Sequence, residues 1–193
     1  MRHSAGMVTM TALTWNVLAD AYVRPSWFPL TDPALLVPGA RQAAVLAMIS
    51  DLDVDVVALQ EADVALVEAA RTAWSDRVVL WAPKGRGRPD GCLTAVRRGL
   101  SVTSHQRVEY TDGEARSGHV AHLVTIATAV GSVTFANTHL RWSPDDAPGS
   151  VHVEQIAELV DLLGGTGACG RPDGLERPSR WGSEGAAACS RFR

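Results

Sequence analysis

Lysine is nearly absent from this 193-residue chain: of 18 basic residues only Lys84 is a lysine, and 17 are arginines. With abundant alanine and glycine, that bias suggests a GC-rich coding sequence. Cysteine is scarce too. Cys92, Cys169 and Cys189 are far apart and odd in number, which argues against a disulfide framework and against a zinc site. There is no basic excess: the net charge of -3 excludes the global positive field of a typical nucleic-acid binder. Long apolar runs are missing as well. Residues 54–59 are interrupted by Asp55, and nothing approaches the roughly 18–20 residues of a membrane span. The first six residues have no apolar stretch of the signal-peptide kind, so the expected location is cytoplasmic, with no membrane partner. Hydrophobic residues nonetheless make up 46%, too many for a disordered chain and enough for one domain with a core.

The patterning suggests alternating elements. Residues 8–17 alternate roughly and predict a first strand. Residues 18–38 hold Pro25, Pro29, Pro33 and Pro38 and read as a loop, with Pro38 placed to open a helix over 39–52. A buried strand follows at 54–59, and Asp63 is a predicted cap for a second helix reaching Trp74. Residues 78–81, 92–96, 102–110, 119–130 and 133–138 are strand-like, with Gly131-Ser132 as the expected hairpin turn before the last of them. Residues 151–163 carry Val153, Ile156, Val160 and Leu163 on one face of a helix, best read as packing on a sheet. This order predicts a mixed α/β sandwich with helices outside the sheets.

The composition changes after Leu163. Residues 1–163 hold 13 basic and 18 acidic residues; residues 164–193 hold five arginines against three acids, with seven glycines and no Val, Ile or Met. An irregular Gly/Arg-rich tail is expected there, outside a domain covering 7–163.

Four short segments carry chemistry at strand ends, where a rigid scaffold can hold a site. They are Thr14-Trp15-Asn16-Val17-Leu18-Ala19-Asp20, Asp55-Val56-Val57-Ala58-Leu59-Gln60-Glu61, Pro89-Asp90-Gly91-Cys92 and Ala136-Asn137-Thr138-His139-Leu140. A carboxylate such as Glu61 suits a hard, oxygen-seeking cation. An amide such as Asn16 can orient that carboxylate or bind a phosphate oxygen. A histidine such as His139 can donate to a phosphoryl oxygen as charge develops. Taken singly, each has a bland reading: a polar residue after a strand usually begins a solvated loop. The chain's only two asparagines, Asn16 and Asn137, both fall in these segments.

In combination the segments resemble the endonuclease/exonuclease/phosphatase superfamily, the DNase I-like fold. Asn16-Val17-Leu18-Ala19-Asp20-Ala21-Tyr22 and Asp90-Gly91-Cys92 look most like its CCR4-type deadenylase branch. The resemblance covers residues 12–163 and implies a four-layer α/β sandwich. It implies that Glu61 ligates Mg²⁺, or Mn²⁺ in its place. Asn16 would support both the metal and the phosphate, and His139 would contact the scissile phosphate. Asn137 belongs to the same motif as His139, as a catalytic residue or as one that only holds the loop. Arg141 and Trp142 would lie near the substrate. The implied reaction is in-line attack of water on a phosphodiester, most naturally in RNA or DNA. A non-catalytic remnant that binds phosphate or metal is a second reading, and a phosphoinositide or sphingolipid headgroup substrate a third. Oligomeric state is not legible.

Two family motifs, Gly-Asp-x-Asn and Ser-Asp-His, do not occur: no Asn follows Asn137 and no His follows His152. The expectation is therefore an incomplete, impaired domain with unpaired sheet edges and exposed apolar surface, its end aberrant or frameshifted from Gly164 onward.

Three further signals have bland readings. Gly165-Thr166-Gly167-Ala168-Cys169-Gly170 fits G-x-G-x-x-G, but it follows a helix pattern instead of a strand, so no dinucleotide site is read. His119 and His122 sit three apart in a predicted strand, pointing to opposite faces as surface or partly buried residues. Lys84-Gly85-Arg86-Gly87-Arg88 reads as a solvated hairpin connection ahead of a phosphate-backbone contact.

Overall fold

Alternating side-chain direction along the strands sorts the apolar side chains into three layers. The computed structural model describes residues 9–112, 116–142 and 150–165. Its strands are β1 (Ala12–Asn16), β2 (Val56–Asp63), β3 (Arg77–Pro83), β4 (Asp90–Arg97), β5 (Ser101–Glu109), β6 (Val120–Thr128) and β7 (Gly131–Thr138). Its helices are α1 (Gln42–Asp51), α2 (Val64–Ala73) and α3 (Val151–Gly165). One sheet runs β1-β2-β4-β3, with β1 parallel to β2 and the other pairs antiparallel. The second is the antiparallel meander β5-β6-β7.

Val57 and Leu59 of β2 and Leu93 and Ala95 of β4 face Leu46 and Ile49 of α1 and Leu66, Val67 and Ala70 of α2. Their neighbours Val56 and Val96 point the other way, into Val124 and Ile126 of β6. Ala121 and Leu123, on the far face of β6, pack with Leu159, Leu162 and Leu163 of α3. The order is thus helices, sheet, sheet, helix: the four-layer mixed sandwich expected. β4 is buried on both faces, which explains why it reads as a nearly continuous apolar run. No described helix is long and apolar enough to cross a membrane.

Several boundaries differ from expectation, each for a local reason. Helix α1 begins at Gln42, because Gly39 takes a left-handed φ of 81° just after Pro38. Pro25 and Pro33 instead open two of the three 3₁₀ turns in the long loop, and Asp32 caps the last of these through Ala34 N–H at 2.9 Å. Asp63 caps α2 as predicted, accepting from Leu66 N–H at 2.8 Å. The β6–β7 turn is Ala129-Val130, since Thr128 pairs with Gly131 and its hydroxyl donates to the Gly131 carbonyl at 2.8 Å. Gly131-Ser132 therefore belongs to β7. Strand β2 runs four residues past Leu59, and that extension creates the site. Gly164 and Gly165 continue α3; the rest of the expected tail, with the G-x-G-x-x-G segment after its first glycine, lies outside the described residues.

Candidate active site

Alternation along β2 would send Glu61 toward the helices beside Val57 and Leu59. A β-bulge prevents this: Gln60 pairs with Cys92 and Ala62 with Gly91, leaving Glu61 as the extra residue, at φ 57°. Ala62 takes the buried place against the helices. A bulge re-aims a side chain in this way, and a non-glycine left-handed residue persists only where its surroundings hold it. Glu61 is therefore within a strand, where the sequence suggested a strand end.

The surroundings are β1 and the loop behind it. Asn16 Nδ2 donates to Glu61 Oε1 at 2.8 Å, and the backbone N–H of Ala19 donates to Oε2 at 3.2 Å. Asn16 Oδ1 accepts from Leu18 N–H at 3.0 Å, folding the loop over the carboxylate. Arg41 clamps that loop from outside, donating to the carbonyls of Val17 and Leu18 at 3.2 and 2.8 Å and pairing with Asp20 at 3.0 Å. Asn16 thus orients Glu61 with both ends of its amide engaged.

His139, just past β7, brings its Nε2 to 3.7 Å from Glu61 Oε1. Its Nδ1 lies 3.2 Å from Lys84 Nζ. An ammonium only donates, so Nδ1 accepts and the proton of the neutral ring sits on Nε2. Burial first, and then the Lys84 charge, hold His139 below the ordinary imidazole range, which keeps that neutral form. Lys84 is itself buried in an ion pair with Asp90 at 2.6 Å, and Asp90 also accepts from the Tyr22 hydroxyl at 2.8 Å. Tyr22, Glu61, Lys84, Arg88, His119 and His139 border an open cavity of about 340 Å³, with Arg141 and the exposed Trp142 on its rim.

Asn137 occupies a different place. Its amide is buried between the sheets, donating to the carbonyls of Leu59 and Leu93 at 3.2 and 2.8 Å and accepting from Gln60 at 2.7 Å. It is absent from the cavity wall. Among the residues predicted from sequence, the structure therefore brings together Asn16, Glu61 and His139, with Arg141 and Trp142 nearby, and sets Asn137 behind them as a tie between the layers.

The basic loop is a correction. Arg86 is exposed, but Lys84 is buried and Arg88 Nε donates to the Ser117 carbonyl at 3.0 Å, so these two turn into the site. His119 and His122 do point apart, yet both are buried, where surface positions were equally expected. His122 lies between the sheets, its Nδ1 3.0 Å from Thr94 Oγ1, and burial lowers it to about 4. His119 lies by the cavity, 6.2 Å from the His139 ring; burial, then Lys84 and Arg88, take it to about 4. Sequence reasoning gave no individual role to Tyr22, Asp90 or His119, and placed Lys84 only in a basic loop read as solvated ahead of a phosphate contact. The available signals were Lys84 as the sole lysine in an arginine-rich chain and the presence of Asp90 and Tyr22 in the segments singled out above.

The donors present fit a cation held loosely. Glu61 offers two carboxylate oxygens, each with one hydrogen bond and capacity for more, which suits Mg²⁺ bound through a single carboxylate, waters and a phosphate. Among the described residues no group of three or more His, Cys, Asp or Glu forms a closed metal cage.

The Endonuclease/Exonuclease/phosphatase family model matches residues 13–174. Among curated proteins no sequence matches the chain. Among solved structures it is similar to ANGEL2, described as a 2',3'-cyclic phosphatase, at TM-score 0.71 and 21% identity over 81% of this chain and 48% of that one. It is similar to TDP2 of D. rerio, complexed with single strand DNA product, at 0.61 and 11% over 83% and 56%. It is also similar to a mannosyl-6-phosphatase of Bacteroides thetaiotaomicron, at 0.63 and 14% over 83% and 61%. The chain spans about half the length of these structures. At such identities the likeness is one of fold, whereas the family pattern runs through most of the sequence, from β1 onward: the chain belongs to the endonuclease/exonuclease/phosphatase family.

Proposed function

We propose that this site hydrolyses phosphoesters by attack of water, with Mg²⁺ as cofactor and nucleic acid, RNA or DNA, as substrate. The observation that carries the reading is the bulge at Glu61. It spends backbone strain to turn one carboxylate out of the sheet, fixes both its oxygens, and sets it 3.7 Å from the Nε2 of a neutral histidine. Glu61 would hold the cation, with Asn16 orienting it. Bound there, Mg²⁺ neutralises charge on phosphoryl oxygens. His139 offers Nε2–H as a neutral donor to a phosphoryl oxygen, and Lys84 keeps the opposite nitrogen from taking that proton. Arg88 and Arg141 on the rim supply charge complementary to phosphate. The similarity to ANGEL2, a 2',3'-cyclic phosphatase, and to TDP2 complexed with single strand DNA product supports a nucleotide phosphoester as the substrate class.

A second reading, a phosphate-binding domain without turnover, is favoured by the sequence itself: no Asp-x-Asn follows Asn137 and no His follows His152. One experiment separates the two. The 193-residue chain and a longer version supplying those motifs are incubated with Mg²⁺ and single-stranded RNA or DNA, each with Glu61→Gln as control. Turnover that Glu61→Gln abolishes supports hydrolysis at this site; turnover that survives Glu61→Gln refutes it. Phosphate binding without turnover in either form establishes the second reading.

A further inference from the structure

His119 sits at the end of a chain of hydrogen bonds with a definite direction. Asp112 Oδ1 accepts from Ser117 N–H at 2.8 Å, and Oδ2 accepts from Gln155 Nε2 at 2.9 Å and from the Ser117 hydroxyl. Burial works to raise this acid, but the bonds from Ser117 and Gln155 outweigh it and hold Asp112 below the usual carboxylate range. An ionised carboxylate only accepts, so the Ser117 hydroxyl proton points at Asp112. Ser117 Oγ then faces His119 Nδ1 at 2.7 Å as an acceptor, which places the imidazole proton on Nδ1. Nε2 is left with its lone pair bare. No protein group among the described residues bonds that nitrogen, and the ring borders the cavity.

His139 has the opposite tautomer, so the cavity presents one N–H and one bare nitrogen on neighbouring rings. A phosphoryl oxygen can use the N–H, but it cannot satisfy a bare nitrogen, because both are acceptors. Nε2 of His119 needs a donor, and on a phosphoester substrate the donors near the phosphate are hydroxyls.

We propose that His119 Nε2 accepts a hydrogen bond from a substrate hydroxyl adjoining the phosphate, so that the site selects phosphoesters carrying that hydroxyl over those lacking it. This rests on the phosphoester reading and adds a specificity-determining residue to it. Asp112 and Ser117 are positioning residues that fix the tautomer.

Two measurements test the proposal. Long-range ¹H–¹⁵N NMR of the histidine side chains reads the tautomers without any ligand. The expected result is His119 protonated on Nδ1 and His139 on Nε2, with His119 losing its preference in Ser117→Ala; a wild-type His119 protonated on Nε2 overturns the proposal. Binding is then measured with Mg²⁺ for a ribonucleoside 3′-monophosphate and its 2′-deoxy counterpart. One hydrogen bond predicts a preference of roughly tenfold for the ribo form. His119→Gln, whose Oε1 can accept near the position of Nε2, keeps the preference; His119→Phe brings the two probes to equal affinity. Equal binding of the two probes by the wild type, or a preference that survives His119→Phe, overturns the inference and leaves the phosphoester site standing. Failure to bind either probe overturns both.

Discussion

The ion pair between Lys84 and Asp90 offers the sharpest test of how this site is held. The two groups approach to 2.6 Å with side chains 2% and 0% exposed. Lys84→Met strips Asp90 of its counter-charge and leaves its carboxylate with the Tyr22 hydroxyl alone. Asp90→Asn strands the Lys84 ammonium against His139 Nδ1. Removing one partner of a buried pair costs about 3–5 kcal/mol, a large part of a typical domain's stability. The double variant buries no isolated charge and keeps an amide for Tyr22, so it should cost less than either single variant. A double-mutant cycle by urea denaturation should therefore return a coupling energy of at least about 2 kcal/mol. Singles that each cost under about 1 kcal/mol and simply add would refute the reasoning, and would mean that water reaches the pair. His139 provides an independent readout. Lys84 is one of the causes that hold it low, so the His139 pKa should rise in Lys84→Met, followed by NMR titration.

Other perturbations follow from the same contacts. His119 and His122 fall from 6.5 to about 4 in the folded state. Between those values the unfolded chain binds more protons, so stability is full above about pH 6.5 and is lost as pH falls toward about 4. Unfolding free energies from urea denaturation at about pH 7 and about pH 5 should differ by up to about 2 kcal/mol per histidine, and His122→Phe should flatten the dependence. Gly91→Ala would set a Cβ 2.7 Å from Pro83 Cα and 2.8 Å from Trp81 Nε1, so thermal unfolding should show a loss of about 1–3 kcal/mol. Arg41→Lys cannot reproduce the guanidinium's reach to Val17, Leu18 and Asp20 together, and should cost about 1–2 kcal/mol by urea denaturation while weakening Mg²⁺ binding measured by calorimetry.

The order of elements was legible because each depends on a local pattern. The cap at Asp63 and the helical period of α3 are properties of a few consecutive residues, although Ile156 and Val160 of the expected stripe are exposed and Leu159 and Leu162 pack with Leu163 instead. Errors arose where a distant partner decided. The length of β2 depends on β4 continuing to pair with it as far as Asp63. The β6–β7 turn depends on which residues of the two strands face one another. Lys84 looked like a solvated loop residue because nothing nearby in sequence shows that Asp90 and His139 will surround it.

By itself the sequence determined which residue types stand at or near the ends of which strands, and so which of them compete for a site: Asn16, Glu61 and His139 are identifiable from their motifs taken together. The tertiary structure decided where each points and what it touches. The bulge turned Glu61 outward, the inter-sheet layer absorbed Asn137, and the hydrogen bonds joining Asp112, Ser117 and His119 fixed His119 at the cavity. The physical reason is that a side chain's role depends on direction, burial and hydrogen-bond partner. For these residues, all three are set by chain segments that meet across tens of residues.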